Sequence, residues 1–355
     1  MNDLALNRVS QVLAEAAIDK NAHLLWCTDE NALNTLPLAF HHEQLLLMTN
    51  RWDVAQQAQT RGFTTNFSDF NFSDIGDKSI DGFFYRISKE KPVVHHLLNQ
   101  AWRCLKPEGE LFLAGYKNEG TKTYIEKIAA LFGCSKNIVK DGPVYSAKLI
   151  KQAAYDPSQL LDDSNYTQAR PIALDSGLQL LSKPGLFGWN KIDVGSALLI
   201  EQLKQLPPFP SSANRCIDLG CGYGYLSVAA ASLGNCKNIE SWILTDNNAA
   251  ALNLAQKNLL LNNLIGEVIA ADAGKELTTK ADLLLCNPPF HQGFDIDGDL
   301  TDKFLKNAKR LLGINGIALF VINQFIPLER KAAPLFKQIK VLADNGSFKV
   351  IQLGH

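Results

Sequence analysis

Apolar positions recur along this chain in two successive series of similar layout: short runs of strand length, separated by longer segments with helical spacing. In the first half "HLLWC" (23–27), "QLLLMTN" (44–50), "DGFFYR" (81–86) and "GELFLAG" (109–115) read as strands, with helical stretches around 54–61 and 93–104. In the second half the strands are "RCIDLG", "SWILTD", "GEVIAAD", "ADLLLCN" and "GIALFVIN", again with helices between them. Such alternation implies parallel sheets, so the expected fold class is α/β, built as two units. The opening "MNDLALNRVSQVLAEAAIDK" spaces its apolar residues as an amphipathic helix. An early acid, without the basic-then-apolar order, argues against a signal peptide.

The halves also resemble each other. "LLLMTNRWDVAQQAQ" lines up with "SWILTDNNAAALNLAQ", and "AWRCLKPEGELFLAG" with "NAKRLLGINGIALFV". This reads as an internal duplication, although shared α/β patterning alone would give a similar picture. In that alignment the first half has lost the informative residues: "LLWCTDEN" has no glycines where the second half has "IDLGCGYG", and Asn50 stands where Asp246 would be. The polar, weakly periodic segment 151–170 reads as the linker, giving domains 1–160 and 161–355. A short hairpin leading into a helix is expected from "ALDSGLQLLSKPGLFGWNKIDVGSALLIEQL".

Composition narrows the class. With 355 residues, 46% apolar and 20% charged, the chain is that of a globular protein with room for two ordinary cores, and no apolar run reaches membrane-spanning length. The net charge of -1 gives no global nucleic-acid signature, though a local basic patch would not show in the total. Seven scattered cysteines with no C-x-x-C pair read as reduced, mostly buried thiols of a cytoplasmic protein, and no metal site is expected.

The chemistry concentrates in the second half. "CIDLGCGYGYLSVAAASLG" is an apolar strand, a turn with Gly220, Gly222 and Gly224, and a helix beginning near Tyr225. Its G-x-G-x-G spacing differs from the G-x-G-x-x-G of dinucleotide-binding folds, which disfavours a nicotinamide oxidoreductase. Asp218 lies just before the turn. Asp246 ends the next strand, where a carboxylate can hold two ribose hydroxyls, and Asp272 ends the third. An Asp at a strand end is often only a helix cap. Three of them at successive strand ends, beside a fourth strand ending in Asn287, point to one ligand crevice.

These motifs carry a family resemblance. Residues 216–323 resemble an S-adenosylmethionine-dependent methyltransferase of the Rossmann-like class: "DLGCGYG" is similar to its cofactor turn, and "NPPF" to the signature of enzymes that methylate an exocyclic or amide nitrogen. Adding "KPGLFGWNKIDVGSALLI", "NPPFHQG" and "NGSFKVIQL", the whole chain resembles bacterial ribosomal RNA guanine-N2 methyltransferases. The likeness is nearest to their C type, which modifies 16S rRNA of the small ribosomal subunit, with the G type that modifies 23S rRNA as its sibling. The resemblance implies two tandem Rossmann-like domains, the first degenerate and serving RNA recognition or support. It implies S-adenosyl-L-methionine as cofactor, held by Asp218, Gly220, Gly222, Gly224, Asp246, Asp272 and Asn287. It implies 16S rRNA, in the small ribosomal subunit or an assembly intermediate, as the partner of a monomeric enzyme. Gly188 and Trp189 replace the family's Ser-Arg pair, while Asp193, Gly195 and Ser196 match.

In this setting the catalytic candidates are Asn287, Pro288 and Phe290. The Asn287 side-chain oxygen and the Pro288 carbonyl would accept the two N–H bonds of guanine N2, orienting its delocalised lone pair. The prolines would stiffen the backbone and remove competing donors, and Phe290 would stack on the base. A plain "NPP" turn with Phe290 in the core is the simpler reading of the isolated motif. Cys286, in an apolar strand, reads as packing rather than a nucleophile, and His291 is left unassigned. Lys303, Lys306, Lys309 and Arg310 fall on one helix, and Arg86, Lys89 and Lys91 follow the first half's counterpart strand. Both groups are compatible with phosphate contact or with solvated faces. Competing functions are the same chemistry on 23S rRNA, N6-adenine or glutamine-N5 methylation, and a non-catalytic RNA-binding assembly factor.

Overall fold

Strands buried on both faces lose the in–out alternation of a half-exposed sheet, and β1 (Leu24–Thr28), buried at all five positions, is of that kind. The computed structural model describes residues 3–29, 32, 36, 43–172, 177–289, 291–292, 295–296 and 298–355. It divides into two compact units, Met1–Gln168 and Ala169–His355. No helix among the described residues is long and apolar enough to cross a membrane.

In the first unit α1 (Leu4–Ala16) precedes β1, and β2 (Leu45–Thr49), α2 (Trp52–Thr60), β3 (Thr64–Phe67) and β4 (Ile80–Arg86) follow. Then come α3 (Lys91–Cys104), β5 (Leu105–Tyr116), α4 (Thr121–Phe132), β6 (Val139–Asp141) and β7 (Val144–Ile150). The sheet order is β3-β2-β1-β4-β5-β7-β6. Leu24 and Trp26 face the apolar layer under α1 and α2, whereas Leu25 and Cys27 face that under α3 and α4. Residues 161–168, grouped with the second unit by sequence, pack on the first. Asn99 exchanges two 2.9 Å hydrogen bonds with the Leu161 backbone, and the Tyr166 side chain is buried.

The second unit opens with the hairpin β8 (Arg170–Ile172) and β9 (Leu180–Ser182), whose first strand lies just before the expected segment. There follow α5 (Val194–Lys204), β10 (Arg215–Leu219), α6 (Tyr225–Ala231), β11 (Ser241–Asp246), α7 (Ala249–Leu261) and β12 (Gly266–Ala270). Next are β13 (Ala281–Cys286), the two-residue strands β14 (His291–Gln292) and β15 (Asp295–Ile296), and α8 (Gly298–Leu311). The unit closes with β16 (Leu312–Asn323), α9 (Leu328–Ala332), β17 (Gln338–Asp344) and β18 (Phe348–Gly354). Its sheet order, β12-β11-β10-β13-β16-β18-β17, repeats the first sheet position for position.

The repeat extends to detail. β5 and β16 are both twelve residues long with the same sequence of buried and exposed positions. The ladders slip at the same point, between Ile80 and Gly82 and between Ala281 and Leu283. Gly82 pairs with Leu24 and Glu110, and Leu283 with Cys216 and Ile317. Counting along these ladders places Arg86 at the position of Asn287. It also places Thr49, rather than Asn50, at the position of Asp246, which corrects the sequence alignment by one residue. The helix starts Trp52 and Ala249 obey the corrected register.

Candidate active site

In the second sheet the chain runs outward from β10 to β11 and β12, then returns to β13 on the other side of β10. The carboxyl ends of β10 and β13 therefore flank a topological switch point, where open α/β sheets form a ligand crevice. The glycine turn leaves the first of these ends, and Asn287 follows the second.

The turn needs its glycines: Gly220, Gly222 and Gly224 have φ of 76°, 55° and 88°, a region that costs a side-chain-bearing residue strain. It is tied to β11 by the N–H groups of Gly220 and Cys221, both donating to the Thr245 carbonyl at 2.9 Å. Asp246 accepts from the Gly222 N–H through Oδ2 and from the Asn248 N–H through Oδ1, each at 2.9 Å. A Cβ placed on Gly222 would meet no atom within 4 Å, so this side of the turn is open. Buried Asn258 supports the turn from below, donating to the Tyr223 carbonyl at 2.7 Å and to the Leu181 carbonyl of β9 at 2.9 Å. Nothing in the sequence singles out Asn258, an ordinary polar residue inside a helix.

The other two acids are placed differently from Asp246. Asp218 is 0% exposed beneath the turn, and its Oδ2 accepts from Ser227 N at 3.1 Å and Ser227 Oγ at 2.7 Å, which ties β10 to α6. Burial pushes its pKa up to about 7 against the pull of those two hydrogen bonds, with nearby Asp246 adding to the rise. Asp272 lies two residues beyond the end of β12, and Lys303 of α8 donates to its Oδ2. Cys286 is buried, and burial followed by the Asp218 charge holds its thiol well above the ordinary range. It therefore stays protonated, as a packing residue does.

Asn287 is half-buried and held from one side. Its Nδ2 donates to Asp193 Oδ2 at 2.9 Å and to Ser196 Oγ at 2.7 Å. Asp193 is the N-cap of α5, and the same Oδ2 accepts from Ser196 N at 2.8 Å. "DVGS" is legible as a cap ahead of an apolar helix, but no spacing rule links it to a strand end 94 residues later. Pro288 is buried and Pro289 exposed. Phe290 lies outside the described residues; His291 opens β14, its side chain likewise undescribed.

Several cations read as phosphate contacts have partners inside the protein. Lys303 pairs with Asp272. Lys309 Nζ lies 2.6 Å from His355 Nδ1 and 5.3 Å from the Phe336 ring centroid. Arg310 donates to the carbonyls of Gly274, Lys275 and Leu277. Arg86 is buried and paired with Asp3 and Glu119, each at 2.8 Å, because a guanidinium at that depth requires opposite charges. Lys306, Lys89 and Lys91 are exposed. Trp189, one of the two residues that depart from the family pattern, packs with its ring centroid 5.7 Å from the Arg170 guanidinium.

Residues 177–352, nearly all of the second unit, match the family model described as "Methyltransferase small domain". A protein named ribosomal RNA small subunit methyltransferase C from Shewanella loihica is 26% identical over 353 residues, covering 98% of this chain and 93% of the relative. One of the same name from an Enterobacter species is 28% identical over 279 residues, covering 78% and 76%. Among solved structures, a T. thermophilus 16S rRNA N2 methyltransferase in complex with AdoMet and guanosine superposes with a TM-score of 0.80. It is 22% identical and covers 99% of this chain and 92% of that one. At that identity the likeness establishes the fold.

Proposed function

We propose, from the likeness of nearly the whole chain to proteins named ribosomal RNA small subunit methyltransferase C and of its second unit to the methyltransferase small domain, that the second unit methylates the exocyclic N2 of a guanine in 16S rRNA. The methyl donor is S-adenosyl-L-methionine, a ligand named for the structurally similar enzyme. When bound, it would supply a methyl group on a sulfonium, whose C–S bond breaks to leave a neutral thioether without help from a metal. The glycine turn and Asp246 fit its nucleoside: the backbone comes close at the open side of Gly222, and a carboxylate at the end of the second strand of such a sheet is placed to accept from vicinal hydroxyls. Asp272 lines the same edge, and Asp218 works from beneath by fixing the start of α6.

One observation carries the chemistry. Both amide hydrogens of Asn287 are taken by Asp193 and Ser196, so its Oδ1 is presented as an acceptor. A guanine amino group is a poor nucleophile because its lone pair is delocalised into the ring. Asn287 Oδ1 and the Pro288 carbonyl accept its two N–H bonds, turn the nitrogen toward the methyl group and hold it there. The two prolines limit backbone motion at those acceptors. Phe290 offers a stacking face worth about 1–3 kcal/mol. The enzyme acts in the cytoplasm as a monomer on the small subunit or its assembly intermediate, with the first unit serving RNA recognition or support.

Replacing Asn287 with Ala separates binding from chemistry. The expected outcome is a loss of about 100-fold or more in the methylation rate of 16S rRNA, with cofactor affinity by calorimetry largely retained. A cofactor affinity that falls as far as the rate would refute this division of roles.

A further inference from the structure

Asn287 is useful only if its amide presents oxygen, and not nitrogen, to the substrate. We infer that Asp193 and Ser196 are positioning residues that set this orientation, an inference that rests on the site reading above. The geometry leaves one choice. Asp193 Oδ2 is acceptor-only when ionised and lies 2.9 Å from the Asn287 amide nitrogen. A flipped amide would set oxygen against carboxylate and lose that hydrogen bond, whereas the Ser196 hydroxyl, donor as well as acceptor, tolerates either orientation, so Asp193 makes the choice. Asp193 is itself immobilised, since capping α5 through Ser196 N at 2.8 Å fixes its rotamer. Gly195 leaves room for this: a Cβ there would stand 3.1 Å from Asp193 Oδ2 and 3.0 Å from the Phe348 ring.

The first unit shows the same frame with a different occupant. Asp3 caps α1 through Leu6 N at 2.8 Å and reaches Arg86, at the Asn287 position, at 2.8 and 3.0 Å. A helix-capping aspartate that holds the residue at the carboxyl end of β4 or β13 is thus a device of both units, and only the second couples it to an amide.

Asp193→Ser keeps a good cap but is too short to hold Asn287, whereas Asp193→Asn keeps an acceptor for both donors. The expected result for Asp193→Ser is a fall in kcat of about 100-fold, the cost of a misplaced reacting group, with KM for RNA and cofactor affinity little changed. Asp193→Asn restores most of the rate, Ser196→Ala loses part of it, and adding Asp193→Ser to Asn287→Ala costs nothing further. An inactive Asn287→Ala beside a fully active Asp193→Ser overturns this inference alone. A rate loss in Asp193→Ser matched by an equal loss of cofactor affinity also overturns it, by making Asp193 a cofactor contact. A fully active Asn287→Ala overturns the site reading itself, and is distinguishable from both.

Discussion

Asp218 and Asp246 stand on neighbouring strands, yet one is sealed beneath the turn and the other spans it. The buried one has a pH signature. Unfolded, Asp218 ionises near the usual value of about 3.9; folded, it ionises at about 7. Between those values the folded chain keeps a proton that the unfolded chain has lost. Stability from this group is therefore complete below pH ~4, declines through the window and is gone above 7, with a slope of at most about 1.4 kcal/mol per pH unit. Asp218→Asn, which keeps an acceptor for Ser227, is expected to flatten the decline between pH ~4 and 7 in denaturant titrations. An equal decline in wild type and variant would assign it to other groups. The glycine turn, Asp246 and Asn287 were legible in the sequence because their signals lie within a few residues. The Asp193–Asn287 contact was not, since it spans 94 positions and uses residue types common at helix caps.

At the level of elements, the two sheets set different residues in one frame. The first unit keeps the strand order, the ladder slip and the capping aspartate, while Arg86 with Asp3 and Glu119 fills the place of the amide. Burial works against the Arg86 charge, and Asp3, Glu119 and Asp29 more than offset it, so its pKa lies above the ordinary value. Arg86→Met leaves Asp3 and Glu119 without that countercharge and is expected to cost about 3–5 kcal/mol of stability. An unchanged urea midpoint would show that the cluster contributes little. The buried parallel strands were legible from their apolar runs. The antiparallel pairs that end each sheet were not: β6 is exposed at all three positions and β17 has no buried position, so neither carries the hydrophobic signal.

For the whole molecule, two units share one topology, and the proposed ligand-holding residues lie in the second. The likeness of the two halves was visible in the sequence, but which residues correspond was decided by ladder register, which moved Thr49 into the place of Asp246. The sequence after β1, "DENALNTLPL", contains no glycine, and Thr49 stands in the register of Asp246. Calorimetry should accordingly find one S-adenosylmethionine per chain, and a stoichiometry of two would contradict the degenerate reading. The central claim is tested most directly by transfer of labelled methyl to 30S subunits, 50S subunits and naked rRNA, followed by digestion to nucleosides. N2-methylguanosine is expected in 16S rRNA, and its loss in Asn287→Ala. Label on another nucleoside, or no N2-methylguanosine in any of the three substrates, would contradict it.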